Sequence, residues 1–233
     1  MVVLIASLRL FAQQQDMRQW VLGENREQAK QRLTSLGVDR DAVEGLDSPL
    51  YKYAQWNSLR TNSEPQFATL FLPCTRDIAY LYLLANENAA WHVKDRLRLD
   101  CHYDLNVSIE ISPLRRPTLD EVMIHHACDG HGAGFLQQNF TVTTVVDGKF
   151  KTELETEEVL NVSRVGGPRY DLSQRSTFTA IPIRGSNSHV IEETRTKTLN
   201  GKLTVQRRRF RWSASSGRYL PSKFVAVEAN DER

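Results

Sequence analysis

Two turn dipeptides constrain the fold of this chain more than any other feature. Asp147-Gly148 and Asn200-Gly201 are residue pairs that readily adopt the positive φ angles of a tight two-residue hairpin turn. Each dipeptide lies between two runs that are rich in β-branched and aromatic residues. The chain therefore contains at least two antiparallel hairpins, and its fold has to accommodate them.

Runs of the same strand-like composition continue through most of the chain after Gln66. We predict strands at 67–72, 78–84, 90–99, 107–111, 121–127, 135–146, 150–162, 176–183, 189–199, 203–212 and 219–227. Longer hairpin loops are predicted at 86–88 and 215–217. Because strands joined by short turns usually pair with each other, we expect an antiparallel meander of hairpins. The expected fold class is mainly β (α+β), with the hairpins forming a curved sheet, a sandwich or a partly open barrel.

A helical pattern precedes the strands, between residues 24 and 47. Asn25 is a suitable N-cap and Gly37 is suited to the left-handed end of a helix. The apolar face predicted for this helix consists of Ala29, Leu33 and Leu36. A second short helix is predicted at 41–46. We therefore expect a small helical element at the N-terminal side of the β structure.

Composition and pattern together divide the chain into four segments. Residues 1–15 are either the remnant of a secretory signal peptide or a first strand, since an apolar run of twelve residues leads abruptly into glutamines. Residues 16–65 comprise the helical element and a connector, 66–228 the antiparallel β domain, and 229–233 a polar tail. The apolar run is shorter than the ~20 residues that span a bilayer, so no transmembrane segment is expected. A signal peptide predicts a secreted or periplasmic protein; otherwise the protein is expected to be cytoplasmic.

The overall charge excludes one broad class of function. The chain has 30 basic and 28 acidic side chains, for a formal net charge of +2. A protein that binds nucleic acid over most of its surface carries a larger positive charge. We therefore expect the partner to be a protein or a small ligand, with any polyanion site confined to a local patch.

Histidine and cysteine residues are concentrated in two short segments, 101–104 and 125–131. Nitrogen and sulfur ligands of this kind suit zinc, and two pairs brought together would complete a tetrahedral site. The spacing matches no established zinc pattern. The candidate metal ligands are His102, His126, Cys128 and His131.

A disulfide is the alternative interpretation of the same two segments. Cys101 and Cys128 fall on predicted neighbouring strands or their ends, and an oxidising compartment would favour a bond between them. The chain has three cysteines, so this pairing leaves Cys74 alone. No cofactor is expected if the disulfide forms, whereas zinc is expected if the segments form a metal site.

A basic and aromatic strand is the candidate polyanion site. Arginine binds phosphate while aromatic rings stack on bases, which is the combination used for single-stranded nucleic acid. The candidate residues are Arg207, Arg208, Arg209, Arg211 and Trp212.

An ion-pair ladder is the alternative interpretation of this strand. Alternation places Arg207, Arg209 and Arg211 on one face, and three glutamates alternate in the same way along 152–157. Opposite charges on neighbouring strands stabilise a sheet by ~0.2–1 kcal/mol per pair. We therefore predict a ladder of these arginines with Glu153, Glu155 and Glu157.

The sequence predicts function only at the level of a class. The leading hypothesis is a non-enzymatic, exported or cell-envelope β-rich module that binds a partner or ligand through a sheet face or loops. It rests on the hairpins, the apolar N-terminal run and a sequence without recognisable catalytic motifs. The alternatives are polyanion binding through 207–212 and a metal-dependent hydrolase. The hydrolase would be centred on His102, His125, His126, Cys128 and His131.

Overall fold

The computed structural model describes residues 25–47, 54–61, 65–73, 78–100, 107–130, 135–163 and 171–227. Two helices, α1 (Arg26–Leu36) and α2 (Arg40–Glu44), are followed by a 3-10 turn at Gly45–Asp47. Thirteen strands follow in the described residues. They are β1 (Gln55–Leu59), β2 (Gln66–Leu72), β3 (Ile78–Glu87), β4 (Ala90–Asp100), β5 (Ser108–Arg116), β6 (Leu119–Gly130), β7 (Phe135–Val146), β8 (Lys149–Ser163), β9 (Asp171–Pro182), β10 (His189–Leu199), β11 (Lys202–Ser213), β12 (Arg218–Pro221) and β13 (Val225–Ala226).

The chain divides into two compact units. One comprises Met1–Leu105 with Val145–Phe150, and the other comprises Asn106–Thr144 with Lys151–Arg233. The first contains a four-stranded antiparallel sheet in the order β1-β2-β3-β4, and the second a nine-stranded antiparallel sheet. The predicted mainly-β class with few helices is confirmed. The strands predicted within 66–228 are distributed over these two sheets.

Helix α1 begins and ends where the sequence predicts. The Asn25 side-chain oxygen accepts a hydrogen bond of 3.2 Å from the Gln28 amide, and Gly37 has the left-handed φ of 85°. Its buried face packs with the first sheet in a core that includes Trp56, whose ring meets that of Trp91 edge-on at 5.2 Å. Residues Ala29, Leu33 and Leu36 form the buried face, as predicted.

Strand β1 lies where the sequence predicts a connector. Its burial does not alternate, because Trp56 and Leu59 are buried while the residues between them are only half-buried. A pattern of this kind has no strict period of two, which is the property that identifies a strand from sequence. Pairing with β2, from Gln55 opposite Phe71 to Leu59 opposite Phe67, supplies the strand conformation instead.

The nine-stranded sheet is the predicted meander. Its order is β12-β11-β10-β9-β8-β7-β6-β5, so consecutive strands from β5 to β12 lie side by side, and β13 pairs with β11. Both dipeptide turns have the predicted positive φ angles: 51° and 71° at Asp147-Gly148, and 49° and 82° at Asn200-Gly201. The sheet is not closed into a barrel.

Curvature of this sheet brings separated strands into contact. His189, at the start of β10, donates a 3.0 Å hydrogen bond to the Leu114 carbonyl of β5, and Arg208 of β11 reaches the Thr156 hydroxyl of β8 at 3.0 Å. We call the face that carries the buried apolar cluster of this sheet the inner face. The cluster consists of Leu114, Met123, Phe140, Val142, Leu154, Ile191, Phe210 and Tyr219.

Candidate functional site

A buried group of charges lies at the inner face. The Arg115 guanidinium contacts the Glu121 carboxylate at 2.5 Å and the Glu153 carboxylate at 3.0 Å, and it stacks on the Trp212 ring with 4.1 Å to the centroid. The two carboxylates are 0% and 1% exposed. Buried charges persist in proteins when they are paired. Here one guanidinium is shared by two carboxylates, and Lys151 supplies a second positive charge that acts on Glu153.

The pKa values of both carboxyl groups are raised above their usual range. Burial raises the pKa of Glu153 to about 7; the Arg115 charge opposes this rise, and the nearby Glu121 carboxylate adds to it. Burial also raises the pKa of Glu121 above its usual value, although Arg115 and the Leu114 amide hold it down. Glu153 is therefore the group in this cluster that exchanges its proton near neutral pH.

Two polar atoms beside these charges lack hydrogen bonds. Within the residues that the structure describes, Glu153 Oε2 and Tyr219 Oη are both buried without a partner. Burial raises the pKa of the Tyr219 hydroxyl, and the Glu121 charge raises it further, so this phenol stays neutral. Its ring packs edge-on against Trp212 at 5.4 Å. Since buried polar groups are normally paired, these two oxygens need an explanation.

Both residues line a cleft of about 390 Å³ between β8, β11 and β12. This volume is within the range of small-molecule sites, which are typically concave and lined by apolar groups with a few polar ones. The lining consists of Thr152, Glu153, Leu154, Glu155, Thr156, Arg208, Phe210, Arg218, Tyr219, Leu220 and Pro221. The lining thus combines apolar side chains with charged ones, while the Glu153 Oε2 and Tyr219 Oη atoms are themselves closed off from solvent.

Arg208 is fixed in place at one side of the cleft. Its guanidinium contacts the fully buried Glu193 carboxylate at 2.5 Å and donates to Thr156. It also lies against the rings of Phe210 and Phe224, at 4.6 and 4.4 Å from their centroids. Glu193 further accepts hydrogen bonds from Arg195 and from the Ser176 hydroxyl. Arg208 is therefore a structural cation that shares the Glu193 carboxylate with Arg195.

The predicted ladder has the wrong acidic partners. Arg207 and Arg209 contact Glu192 of β10, at 3.3 and 2.8 Å, while Arg208 contacts Glu193 of the same strand. Strand β8, which carries the predicted partners Glu153, Glu155 and Glu157, is not a neighbour of β11 because β9 and β10 lie between them. The alternation correctly predicted that Arg208 faces the other side of the strand from Arg207 and Arg209. Their acidic partners can be identified only from the order of the strands in the sheet.

The five candidate polyanion residues do not share one face. Arg207 and Arg209 are half exposed beside Glu192, and Arg211 is exposed. Arg208 and Trp212 instead contribute to the packing of the inner face. Polyanion binding through this strand stays a prediction, and the residues available for it are Arg207, Arg209 and Arg211.

The histidine and cysteine candidates are only partly within the described chain. His125 Nδ1 lies 2.8 Å from a Glu158 carboxylate oxygen, and its ring centroid lies 4.9 Å from that of Phe140. His126 is the next residue on β6 and is half-buried. Among the described residues, no group of three or more His, Cys, Asp or Glu is placed to hold a metal ion.

Five candidates remain from the histidine and cysteine residues. Cys74, Cys101, His102 and His131 lie outside the described residues, as does the side chain of Cys128. The zinc site and the Cys101–Cys128 disulfide therefore both stay predictions.

Sequence reasoning did not single out Arg115, Glu121 or Tyr219, and it assigned Glu153 to the ladder. One pattern could have identified Glu121: it shares a strand face with Met123 and His125, so a charged residue stands on a mostly apolar face. The other members come from β5, β8 and β12. Their proximity depends on the curvature of the sheet, which local pattern does not contain.

No family model, no curated protein and no solved structure matches this chain. Within the described part of the chain, neither helix has the length and apolar character needed to cross a membrane. The geometry of the cleft is the basis for the functional proposal.

Proposed function

We propose that this protein is a non-enzymatic binding module that holds a small ligand in the cleft between β8, β11 and β12. The observation that carries the proposal is the cleft of about 390 Å³, in which apolar side chains such as Phe210 and Leu220 lie beside the fixed Arg208 guanidinium. Covering apolar surface contributes about 25 cal/mol per Å² to association. A ligand with an apolar body would gain this free energy on binding.

The polar groups of the cleft favour binding over catalysis. The Arg208 guanidinium is held by the Glu193 carboxylate, and this ion pair positions one wall of the cleft. Nucleophilic catalysis requires a nucleophile and a base within hydrogen-bond distance of each other. Among the described residues that line the cleft, no nucleophile lies within hydrogen-bond distance of a base.

The proposal includes an exported or cell-envelope location with a Cys101–Cys128 disulfide. The apolar run at 1–12, followed by glutamines, supports export, and an oxidising compartment would then favour the bond. Peptide mapping of the unreduced protein tests this part. We expect one linked peptide pair that contains Cys101 and Cys128, with Cys74 free; two free thiols at 101 and 128 would contradict it.

A ligand screen with two matched variants tests the binding function. Thr152→Trp adds a large ring to a residue that lines the cleft, whereas Thr204→Trp adds the same ring to an exposed position on β11 outside it. Ligands found by thermal shift with the full chain should lose at least about tenfold in affinity with Thr152→Trp. They should bind Thr204→Trp as they bind the wild type. The proposal is wrong if a chemically diverse set yields no ligand, or if Thr152→Trp binds every ligand unchanged.

The metal-dependent hydrolase is a second candidate, favoured by one contact. Histidines that bind zinc commonly donate their second ring nitrogen to a carboxylate, and His125 makes a contact of this kind with Glu158. Elemental analysis of the purified full chain tests this candidate. Stoichiometric zinc that is lost in His126→Ala would support it, and a metal-free protein with zinc supplied during expression would contradict it.

A further inference from the structure

We propose that a second surface of this protein, on the outer face of β11 and β13, binds anionic phospholipid membranes. The outer face is the side of the nine-stranded sheet opposite the inner face. The surface, which we call the outer patch, consists of Leu203, Val205, Arg207, Arg209 and Arg211 with Val225 and Val227 beside them. It is a different part of the molecule from the cleft, and the proposal does not depend on the proposed binding function.

The register of the strands places the side chains of the outer patch on one face. Alternate residues of a strand point to the same side of a sheet, so the odd-numbered residues of 203–211 share one face. Val225 lies opposite Arg207, and the Val227 amide donates a 2.9 Å hydrogen bond to the Val205 carbonyl. Both valines therefore continue the same face, and the outer patch is contiguous across two neighbouring segments of chain.

The outer patch is exposed to solvent. Arg207 and Arg209 are 48% and 53% exposed, and Arg211 is also exposed. Leu203 and Val225 are 62% and 67% exposed, the two highest values among the large hydrophobic side chains of the described residues. Exposed apolar groups that are bordered by polar ones mark interaction surfaces. The outer patch combines such groups with three arginines.

The charge of this region is positive, although the whole chain is nearly neutral. Residues 171–227 contain eleven arginines and lysines and three acidic residues, whereas the full chain has 30 and 28. Arg207 and Arg209 share the Glu192 carboxylate, and Arg211 forms no ion pair within the described residues. Three guanidinium groups thus meet one carboxylate, which leaves an excess of positive charge at an exposed surface.

The chemistry of the outer patch favours an anionic phospholipid surface over nucleic acid. Guanidinium groups bind the phosphates of lipids and of nucleic acids alike. The aliphatic side chains distinguish the two, because Leu203 and Val225 can enter the apolar region below lipid headgroups but find no apolar partner on a phosphate backbone. Proteins that bind single strands also use exposed aromatic rings, and Phe210 and Trp212 lie at the inner face.

The size of the outer patch favours a membrane over a stable protein partner. A standard protein interface engages about 20–30 residues on each side, which is far more than this patch provides. Clusters of about 4–8 basic residues are typical of proteins that bind anionic lipids. The three arginines of the outer patch, together with Lys202 and Lys223, which are exposed and next to it in sequence, are a cluster of this size.

Vesicle binding by the full chain tests the proposal. The probes are large unilamellar vesicles of phosphatidylcholine alone, and of equal parts of phosphatidylcholine and phosphatidylglycerol. Co-sedimentation should show at least about tenfold tighter binding to the vesicles that contain phosphatidylglycerol. Raising sodium chloride from about 0.1 M to about 1 M should weaken this binding at least about tenfold, because the Debye length falls from about 10 Å to about 3 Å.

Two triple variants assign the effect to the outer patch. Each basic residue close to an anionic membrane strengthens binding about fivefold. The triple variant Arg207→Gln, Arg209→Gln, Arg211→Gln should therefore bind at least about tenfold more weakly. The control has the same net charge and should change affinity less than about twofold. It carries the same substitution at three exposed arginines elsewhere, namely Arg26, Arg40 and Arg116.

Two single variants separate the proposal from a loss of folding. Glu192→Gln removes the carboxylate that Arg207 and Arg209 share, and it should strengthen binding to the phosphatidylglycerol vesicles about fivefold, which misfolding would not do. Val225→Ser removes an apolar contact and should weaken binding about threefold or more, whereas Val146→Ser, at an exposed valine of β7, should not. Circular dichroism confirms that each variant is folded.

The proposal is wrong if the two kinds of vesicle bind equally, if neither binds, or if the triple variant of the outer patch binds as the wild type does. It is also wrong if the control triple variant loses as much affinity, or if Glu192→Gln binds more weakly. A single-stranded or duplex DNA oligonucleotide that binds more tightly than the phosphatidylglycerol vesicles would identify a nucleic-acid site instead. The cleft is judged separately, by the ligand screen with Thr152→Trp.

Discussion

Glu153 shows how strongly one residue depends on its surroundings. The same side chain on an exposed strand face would be an ordinary surface carboxylate. Here it is almost fully buried, shares Arg115 with Glu121 and has its pKa raised to about 7. A raised pKa means that the folded protein binds the proton of Glu153 more tightly than the unfolded chain does. Its ionised form therefore destabilises the fold.

The first prediction concerns the stability of Glu153→Gln as a function of pH. Below the unfolded pKa of about 4.5, Glu153 is protonated in both states and contributes no pH dependence. Between 4.5 and about 7 the folded state holds more protons, so the free energy of unfolding of the wild type falls as pH rises. Glutamine does not titrate. The variant should therefore gain about 3 kcal/mol relative to wild type between pH 4.5 and pH 8.

Urea denaturation of both proteins at several pH values checks this prediction. Glu157→Gln is the matched control, because Glu157 lies on the same strand in a more exposed position and should show little change. A difference between Glu153→Gln and wild type that is constant across the pH range would contradict the assignment.

The pairing of strands β10 and β11 determines which arginine meets which glutamate. Their register places Glu193 opposite Arg208 and Glu192 opposite Arg209, so two consecutive positions make the same chemical pair in different surroundings. One pair lies at the inner face and the other at the exposed face. The energetic value of an ion pair depends strongly on that difference.

The second prediction compares methionine substitutions at these two arginines. Arg208→Met leaves buried Glu193 with Arg195 and Ser176 only, and should lower the free energy of unfolding by about 2–4 kcal/mol. Arg209→Met removes a half-exposed contact and should cost less than about 1 kcal/mol. Chemical denaturation measures both values. Equal losses would show that Arg208 does not depend on its buried partners.

The third prediction concerns the two hairpin turns. Gly148 and Gly201 have φ angles of 71° and 82°, and a Cβ atom at either position would meet nothing within 4 Å. Alanine at these sites therefore costs backbone strain alone, about 1 kcal/mol. Lys202→Ala, next to Gly201, is the control and should change stability by less than about 0.5 kcal/mol. Thermal denaturation of the three variants measures this, and unchanged stability in both glycine variants would contradict the turn geometry.

The turns and the helix were predictable because their determinants are local. Asn25, Gly37 and the dipeptide turns impose specific backbone angles on the residues that carry them, and the structure has those angles. Strand β1 was missed because its conformation comes from pairing with β2 rather than from its own pattern. The acidic partners of the arginines were misassigned for the same reason, since strand order is a property of the sheet.

The buried charge group beside the cleft exists only at the scale of the folded unit. Arg115, Glu121, Glu153 and Tyr219 come from four strands that are distributed over more than a hundred residues of sequence. Curvature of the nine-stranded sheet brings their side chains together, and sequence pattern predicts a curved sheet without predicting which residues meet inside it. The fold class was therefore accessible from sequence, whereas the site required the three-dimensional structure.

A crystal structure of the protein with the tightest ligand from the screen tests the central claim most directly. The account predicts ligand density in the cleft between β8, β11 and β12, in contact with Thr152, Phe210 and Leu220. Ligand density elsewhere on the chain, with this cleft empty, would contradict it.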